Sequence, residues 1–160
     1  MSDSRSPVGY PEPLQDLIDT FATFDDPSER AQVLISFADA FTPVPPEVAT
    51  RPFGKDHLVP ACESEAYVWA MLQPDGKMNL HFAVENPSGI SAKAMATMLT
   101  RTLSGLTPAE IATVSPEVVE RLFRQNISMG KGMGLMSMVG AVRTLAQRAV
   151  DIESKPARQE

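Results

Sequence analysis

The stretch Ser64-Glu65-Ala66-Tyr67-Val68-Trp69-Ala70-Met71-Leu72-Gln73-Pro74-Asp75-Gly76-Lys77-Met78-Asn79-Leu80-His81-Phe82-Ala83-Val84 decides the fold. Residues 64–72 are rich in aromatic and β-branched types, which suit a pleated surface, and read as a strand. Pro74-Asp75-Gly76 is turn chemistry. Met78, Leu80, Phe82 and Val84 then alternate with Lys77, Asn79, His81 and Ala83, the period-two mark of a half-buried strand with His81 on its outer face. The two strands are expected to pair as an antiparallel hairpin, with Tyr67 and Trp69 as core or sheet-face residues.

On both sides of this hairpin the period becomes helical. Before it, Leu14, Leu17, Ile18, Phe21 and Phe24 predict a helix over 12–24. Asp25-Asp26-Pro27-Ser28 breaks and restarts the chain. Val33, Leu34, Phe37, Ala38 and Phe41 then form a second stripe, giving a helical hairpin. Residues 42–56 hold four prolines and Gly54 and read as a loop with at most one helical turn. His57 to Cys62 reads as a short extended segment. After the strands come a helix carrying Ile90, Ala94, Met95, Met98, Leu99 and Leu103, and a capping box at Thr107-Pro108-Ala109-Glu110. A short helix follows Ser115-Pro116-Glu117, and an irregular loop is expected over 125–134. A last long helix carries Leu135, Met138, Val139, Val142, Leu145, Ala146 and Ala149. Helices, a small antiparallel sheet, then helices make an α+β fold rather than a βαβ sandwich. One domain is expected over 12–150, with a disordered lead-in at 1–11 and a tail at 151–160.

The chain has 160 residues, 43% apolar and 21% charged, which suits one globular domain. Its net charge of −6 argues against nucleic acid as a partner, since phosphate binding needs clustered Lys and Arg. No apolar run approaches the roughly 18 residues of a membrane span, and Met1–Pro13 lacks the pattern of a secretory signal. One cysteine and two histidines exclude an internal disulfide and leave too few ligands for an ordinary zinc or iron–sulfur site. A reducing, cytoplasmic setting is expected.

Cys62 is the first candidate for chemistry. Thiolate attack on sulfur needs access and some thiolate fraction. Its place between a Pro-containing segment and a strand favours a reactive role. Glu63 and Glu65 set negative charge beside it, and a small buried apolar residue is the alternative reading. His57 and His81 are candidate bases for a Cys–His pair, though each also reads as a surface or edge residue. Met129-Gly130-Lys131-Gly132-Met133-Gly134 departs from a phosphate loop, because Met133 stands where Ser or Thr is needed and no strand precedes it.

Three stretches carry a likeness to a known family. Val59-Pro60-Ala61-Cys62-Glu63-Ser64-Glu65-Ala66-Tyr67-Val68 keeps Cys62 and Ser64 of a Val-x-Gly-Cys-x-Ser-x-Val-Trp pattern, with Ala61 in place of the glycine. Leu106-Thr107-Pro108-Ala109-Glu110-Ile111 matches Thr-Pro-x-Glu/Asp-Ile. Ile127-Ser128-Met129-Gly130-Lys131-Gly132-Met133-Gly134-Leu135 stands where that family usually shows Leu-Ser/Thr-Pro-Ser-Arg-x-x-Gly-Leu. In these the chain resembles the SufE sulfur acceptors over about Leu14 to Ala149.

The resemblance implies a SufE/IscU-like fold, shared with iron–sulfur scaffold proteins, and a persulfide-forming role for Cys62. It implies supporting roles for Ser64, Lys131 (on the family's arginine), Glu85 and Gly134. Glu85-Asn86-Pro87 replaces the family's Asp-Ser-Asp, so only Glu85 keeps an acid. The implied protein is an accessory and not an enzyme, with no cofactor of its own. Its partners would be a SufS-like cysteine desulfurase, which carries the pyridoxal phosphate, and a SufBCD-like scaffold complex. No membrane or nucleic acid is implied, and the state would be a monomer or homodimer. Lys131 near Cys62 would favour the thiolate as a point charge, and His57, Glu63 and Glu65 would rim the partner surface. A docking activator that accepts no sulfur is the alternative. A cluster scaffold lacks ligands, and a single-cysteine hydrolase requires a histidine beside Cys62.

Overall fold

The alternation at 78–84 is realised as strand β2 (Met78–Val84), paired antiparallel with β1 (Ala66–Leu72) so that Val68 faces Phe82 and Trp69 faces His81. The computed structural model describes residues 9–154. Of the expected lead-in, residues 1–8 lie outside these, as do residues 155–160 of the expected tail. Strand β1 starts later than expected because Glu65 is left-handed, at φ 51°, which strand geometry does not allow.

The sheet has two different faces. Ala66, Val68, Met78, Leu80 and Phe82 are buried in the main core. On the other face Trp69 and Ala83 form a smaller cluster with Val44, supported by Val48, Ala49, Phe53 and Tyr67. The Pro-rich loop thus covers the sheet, with Phe53 edge-on to Trp69 at 5.1 Å between centroids. His81 lies on this outer face, half-buried opposite Trp69. Burial holds its imidazole below the ordinary histidine value, partly offset by Glu47.

The sheet's edges are partly covered as well. Val44 N–H donates to Phe82 O, Met78 N–H to Leu106 O (both 2.8 Å) and Leu80 N–H to the Ser104 hydroxyl (2.9 Å), which closes much of the β2 edge. On the β1 edge Leu58 bridges Tyr67, and Val59 N–H donates to Ala66 O at 2.8 Å.

Helices α1 (Glu12–Phe21) and α2 (Pro27–Asp39) form the expected hairpin, with Asp26 accepting from Ser28 N–H at the start of α2. Helix α3 (Ile90–Leu103) runs through the centre, burying Ala92, Ala94, Met95, Ala96, Met98, Leu99 and Leu103. Its buried Thr102 donates to Met98 O at 2.7 Å, so the buried hydroxyl has a partner. Helix α4 (Pro108–Ile111) starts on the complete capping box, and α5 (Val118–Phe123) follows.

Helix α6 (Met129–Ser154) corrects two expectations. The glycine stretch expected as loop is its first two turns, and the tail expected from 151 stays helical to Ser154. Ser128 explains the early start. Its hydroxyl accepts from Lys131 N–H and its carbonyl from Gly132 N–H, as an N-cap does. Of the three glycines in these turns, which have low helix propensity, Gly134 is buried against the thiol loop while Gly130 is exposed.

Arg30 in α2 is buried, which no helical stripe indicated. It donates to Phe24 O at 2.6 Å and to Leu122 O at 3.4 Å, with its guanidinium over the Phe21 ring. It therefore bridges the α1–α2 turn to α5. Arg30→Ala is expected to lower unfolding stability by about 2–3 kcal/mol in urea, by stranding the buried Leu122 carbonyl and the part-buried Phe24 carbonyl. Arg30→Lys should recover less than half, since one ammonium lacks the fork that reaches both.

Candidate functional site

Backbone pairing builds the Cys62 loop. The Leu58–Val59 segment runs antiparallel to Ala66–Tyr67, so residues 60–65 form the connection between them. Inside it Glu65 N–H donates to Cys62 O at 3.2 Å. The C-terminal limb is tied to the end of β2, where Glu85 N–H donates to Glu65 O and Asn86 N–H to Ser64 O. Cys62 is a free thiol at the tip, half-buried against the main core.

The thiol opens on a cleft of about 190 Å³ lined by Cys62, Glu63, Ser64, Asn86, Ser88, Gly89, Ser91, Gly130, Lys131 and Gly134. Four of the five expected site residues, Cys62, Ser64, Lys131 and Gly134, are therefore brought together. Two helices begin at this cleft. Gly89 is the N-cap of α3 without a side-chain cap, and Gly130 and Lys131 lie in the first turn of α6. First-turn N–H groups have no intrahelical partner, and helix N-termini carry partial positive charge. With Lys131 they set positive charge along the cleft, and Glu63 sets negative charge there.

Close approach explains one glycine, Gly89, and ordinary contact locates a second, Gly134. A Cβ on Gly89 would sit 2.9 Å from Val84 Cγ1 and 3.0 Å from Ser64 Oγ, so only glycine fits there without a shift. A Cβ on Gly134 would lie 3.5 Å from both Ala61 O and Cys62 Cα, and 3.9 Å from Cys62 Sγ. The first turns of α6 thus pass directly under the thiol loop.

Glu85, the remaining expected site residue, does not line the cleft. It forms a two-bond pair with Arg51, Nε to Oε1 at 2.8 Å and Nη2 to Oε2 at 2.9 Å, over the Pro-rich loop. Neither histidine lines the cleft either. His57 Nδ1 is 3.0 Å from Val68 O and its ring stacks on Trp69 at 5.1 Å, and His81 belongs to the outer sheet face. The geometry therefore lacks the Cys–His pair of a single-cysteine hydrolase. Of the residues expected at the rim, Glu63 lines the cleft and His57 lies in a separate groove beside α6. Among the described residues no three of His, Cys, Asp and Glu gather to hold a metal ion.

Sequence reasoning missed Asn86, Ser88 and Ser91. Asn86 Oδ1 accepts from Ser88 N–H at 3.0 Å and from its hydroxyl at 2.9 Å, an Asx turn that leads the chain into α3. The run Asn-Pro-Ser-Gly before a helical period was the available signal.

The family model described as "SufE: Fe-S metabolism associated domain" matches residues 15–146. The chain belongs to the SufE family. The Arabidopsis thaliana protein named "SufE-like protein 1, chloroplastic/mitochondrial" is 25% identical over 164 residues, covering 96% of this chain. The chain spans only 42% of that relative's length. The solution structure of a hypothetical protein from Thermus thermophilus has the same α+β fold, with a TM-score of 0.71 at 23% identity over 89% of this chain and 99% of that one. SufE membership places the protein in iron–sulfur metabolism. None of the described helices is long and apolar enough to cross a membrane.

Ala61 is left-handed, at φ 59°, where the SufE pattern quoted above has glycine. A Cβ costs about 1–2 kcal/mol in that region, and the unfolded-state entropy of glycine returns part of it. Ala61→Gly should therefore raise stability by about 0.5–1 kcal/mol in denaturant titration. For Glu85, the hydrogen bonds from Arg51 hold its carboxyl below the usual carboxylate range. The pair's contribution is therefore fully present above the unfolded-state value of about 4.3 and lost as pH falls through the lowered folded value. Glu85→Gln should lower the melting temperature by no more than about two degrees at pH 7, this exposed pair being weak, and by less as pH falls below the ordinary carboxylate range.

Proposed function

We propose that this SufE-family chain is a sulfur carrier, accepting persulfide sulfur on Cys62 from a cysteine desulfurase and passing it to iron–sulfur cluster assembly. The observation that carries this reading is the cleft itself: a half-buried thiol faces a polar space with room for one added sulfur, beside Lys131 and two helix starts. In the transfer, the Cys62 thiolate attacks the outer sulfur of the donor's Cys–S–SH. A new S–S bond forms on Cys62, the donor's S–S bond breaks, and the donor leaves as a thiolate. The proton stays on the transferred sulfur, giving Cys62–S–SH. Cys62 is oxidised to the persulfide level and the donor cysteine is reduced, so no outside oxidant is needed.

Lys131 lines the same cleft and supplies a point charge there during the transfer. Ser64 and Gly89, packed against each other, hold the cleft wall, and Gly134 faces the thiol loop from α6. The pyridoxal phosphate chemistry belongs to the desulfurase, and the recipient is a scaffold complex that builds the cluster. One cysteine cannot hold a cluster in this chain alone. A reducing compartment such as the cytoplasm keeps the thiol competent; the Arabidopsis relative is named chloroplastic/mitochondrial.

The test is intact-mass spectrometry after incubation with a SufS-type desulfurase and cysteine, without reductant. A gain of one sulfur, reversed by reductant and abolished in Cys62→Ser, is expected. Sulfur recovered on Cys62→Ser would overturn the assignment. Full desulfurase stimulation by Cys62→Ala, with no mass gain on the native chain, would instead establish the docking activator.

A further inference from the structure

The Cys62 loop is held unevenly. Its two limbs are fixed by backbone hydrogen bonds: Val59 to Ala66 on one side, Glu85 and Asn86 to Glu65 and Ser64 on the other. The tip, Pro60 to Glu63, has one tie to the rest of the fold among the described residues. Ser137 in α6 donates its hydroxyl to Pro60 O at 2.5 Å, across 77 positions of sequence. Ser137 lies three residues beyond Gly134, so both meet the tip from the same helix, Gly134 beneath Ala61 and Cys62 and Ser137 at Pro60. Beyond its limbs the tip has only this bond and side-chain packing to keep the thiol lowered.

We propose that Ser137 is a positioning residue for Cys62: its hydrogen bond to Pro60 latches the loop tip onto α6 and sets how often the thiol is lifted into solvent. Ser137 touches no sulfur. It acts on the population of the lifted tip, which is the form that a partner's sulfur or a small electrophile reaches. Removing a hydrogen bond present only in the latched form shifts that population by about five-fold. The inference rests on the carrier reading for its purpose, but its test does not use sulfur transfer.

The measurement is the alkylation rate of Cys62 by iodoacetamide in the folded full chain, followed by mass spectrometry with no desulfurase present. Ser137→Ala is expected to react about five-fold faster than the native chain. Ser137→Thr, which keeps the hydroxyl, should react at the native rate. Val119→Ala, a core truncation in α5 away from the loop, controls for global unfolding and should also leave the rate unchanged.

An unchanged rate in Ser137→Ala would overturn the latch. So would an equal rise in Val119→Ala, which would mean that the thiol is exposed by unfolding of the whole domain, or in Ser137→Thr, which would move the effect from the hydrogen bond to packing. Failure here leaves sulfur acceptance by Cys62 standing. Conversely, sulfur recovered on Cys62→Ser would remove the carrier reading while leaving the alkylation result intact.

Discussion

Helix α3 is buried on nearly every side, and the other elements are arranged by the need to cover it. Its alanines at 92, 94 and 96 let neighbouring backbones approach closely, while Met95, Met98, Leu99 and Leu103 fill the space between them. Helices α1, α2 and α6 and strand β2 all pack against it. A helix buried this thoroughly gains little from solvent at its flanks, and its stability comes from tertiary packing. Its start is open to solvent, with Ile90 half-exposed. Gly89 must approach Ser64 and Val84 closely, and that contact brings the end of β2, the Asx turn at Asn86 and the Cys62 loop to a single point. The cleft is thus a by-product of where the central helix begins.

The same arrangement sets the electrostatics of the thiol. The chain is acidic overall, and Glu63 stands beside Cys62. The local field is nevertheless mixed, because Lys131 and the first turns of two long helices face the same small space. Lysine gives charge without a planar fork, so the geometry of the loop is left to the backbone: paired limbs, two left-handed residues at positions 61 and 65, and a helix passing under the tip. Position and charge are supplied by different parts of the molecule.

Much of this was legible in the sequence. Period-two alternation around Pro74-Asp75-Gly76 gave the hairpin, and helical spacing gave the helices that cover it. The capping box at Thr107 formed as expected, because both of its partners are local. The gathering of Cys62, Ser64, Lys131 and Gly134 came through the family resemblance; no local rule joins residues so far apart. What stayed hidden depends on tertiary closure. Arg30 is buried only because α5 brings Leu122 to it. The helix began at Met129 because Ser128 caps it, a weak signal beside three glycines. Glu85 lies apart from the cleft for a simpler reason. Alternation continued from Phe82 and Val84 puts position 85 on the outer face with Ala83 and His81, toward Arg51 and away from the thiol.

The outer face of the sheet has a spectroscopic consequence. The chain's single tryptophan, Trp69, is 5% exposed, but it sits in the small cluster under the Pro-rich loop and not in the main core. It stacks with His57 and Tyr67 and meets Phe53 edge-on. Its emission therefore reports the docking of residues 42–57 on the sheet, while circular dichroism reports the helices around α3. A loop held by so small an apolar cluster belongs to the least stable tier of the fold and can detach below the global transition. The two signals need not coincide on heating, and a gap between them would measure how independently the outer layer breathes.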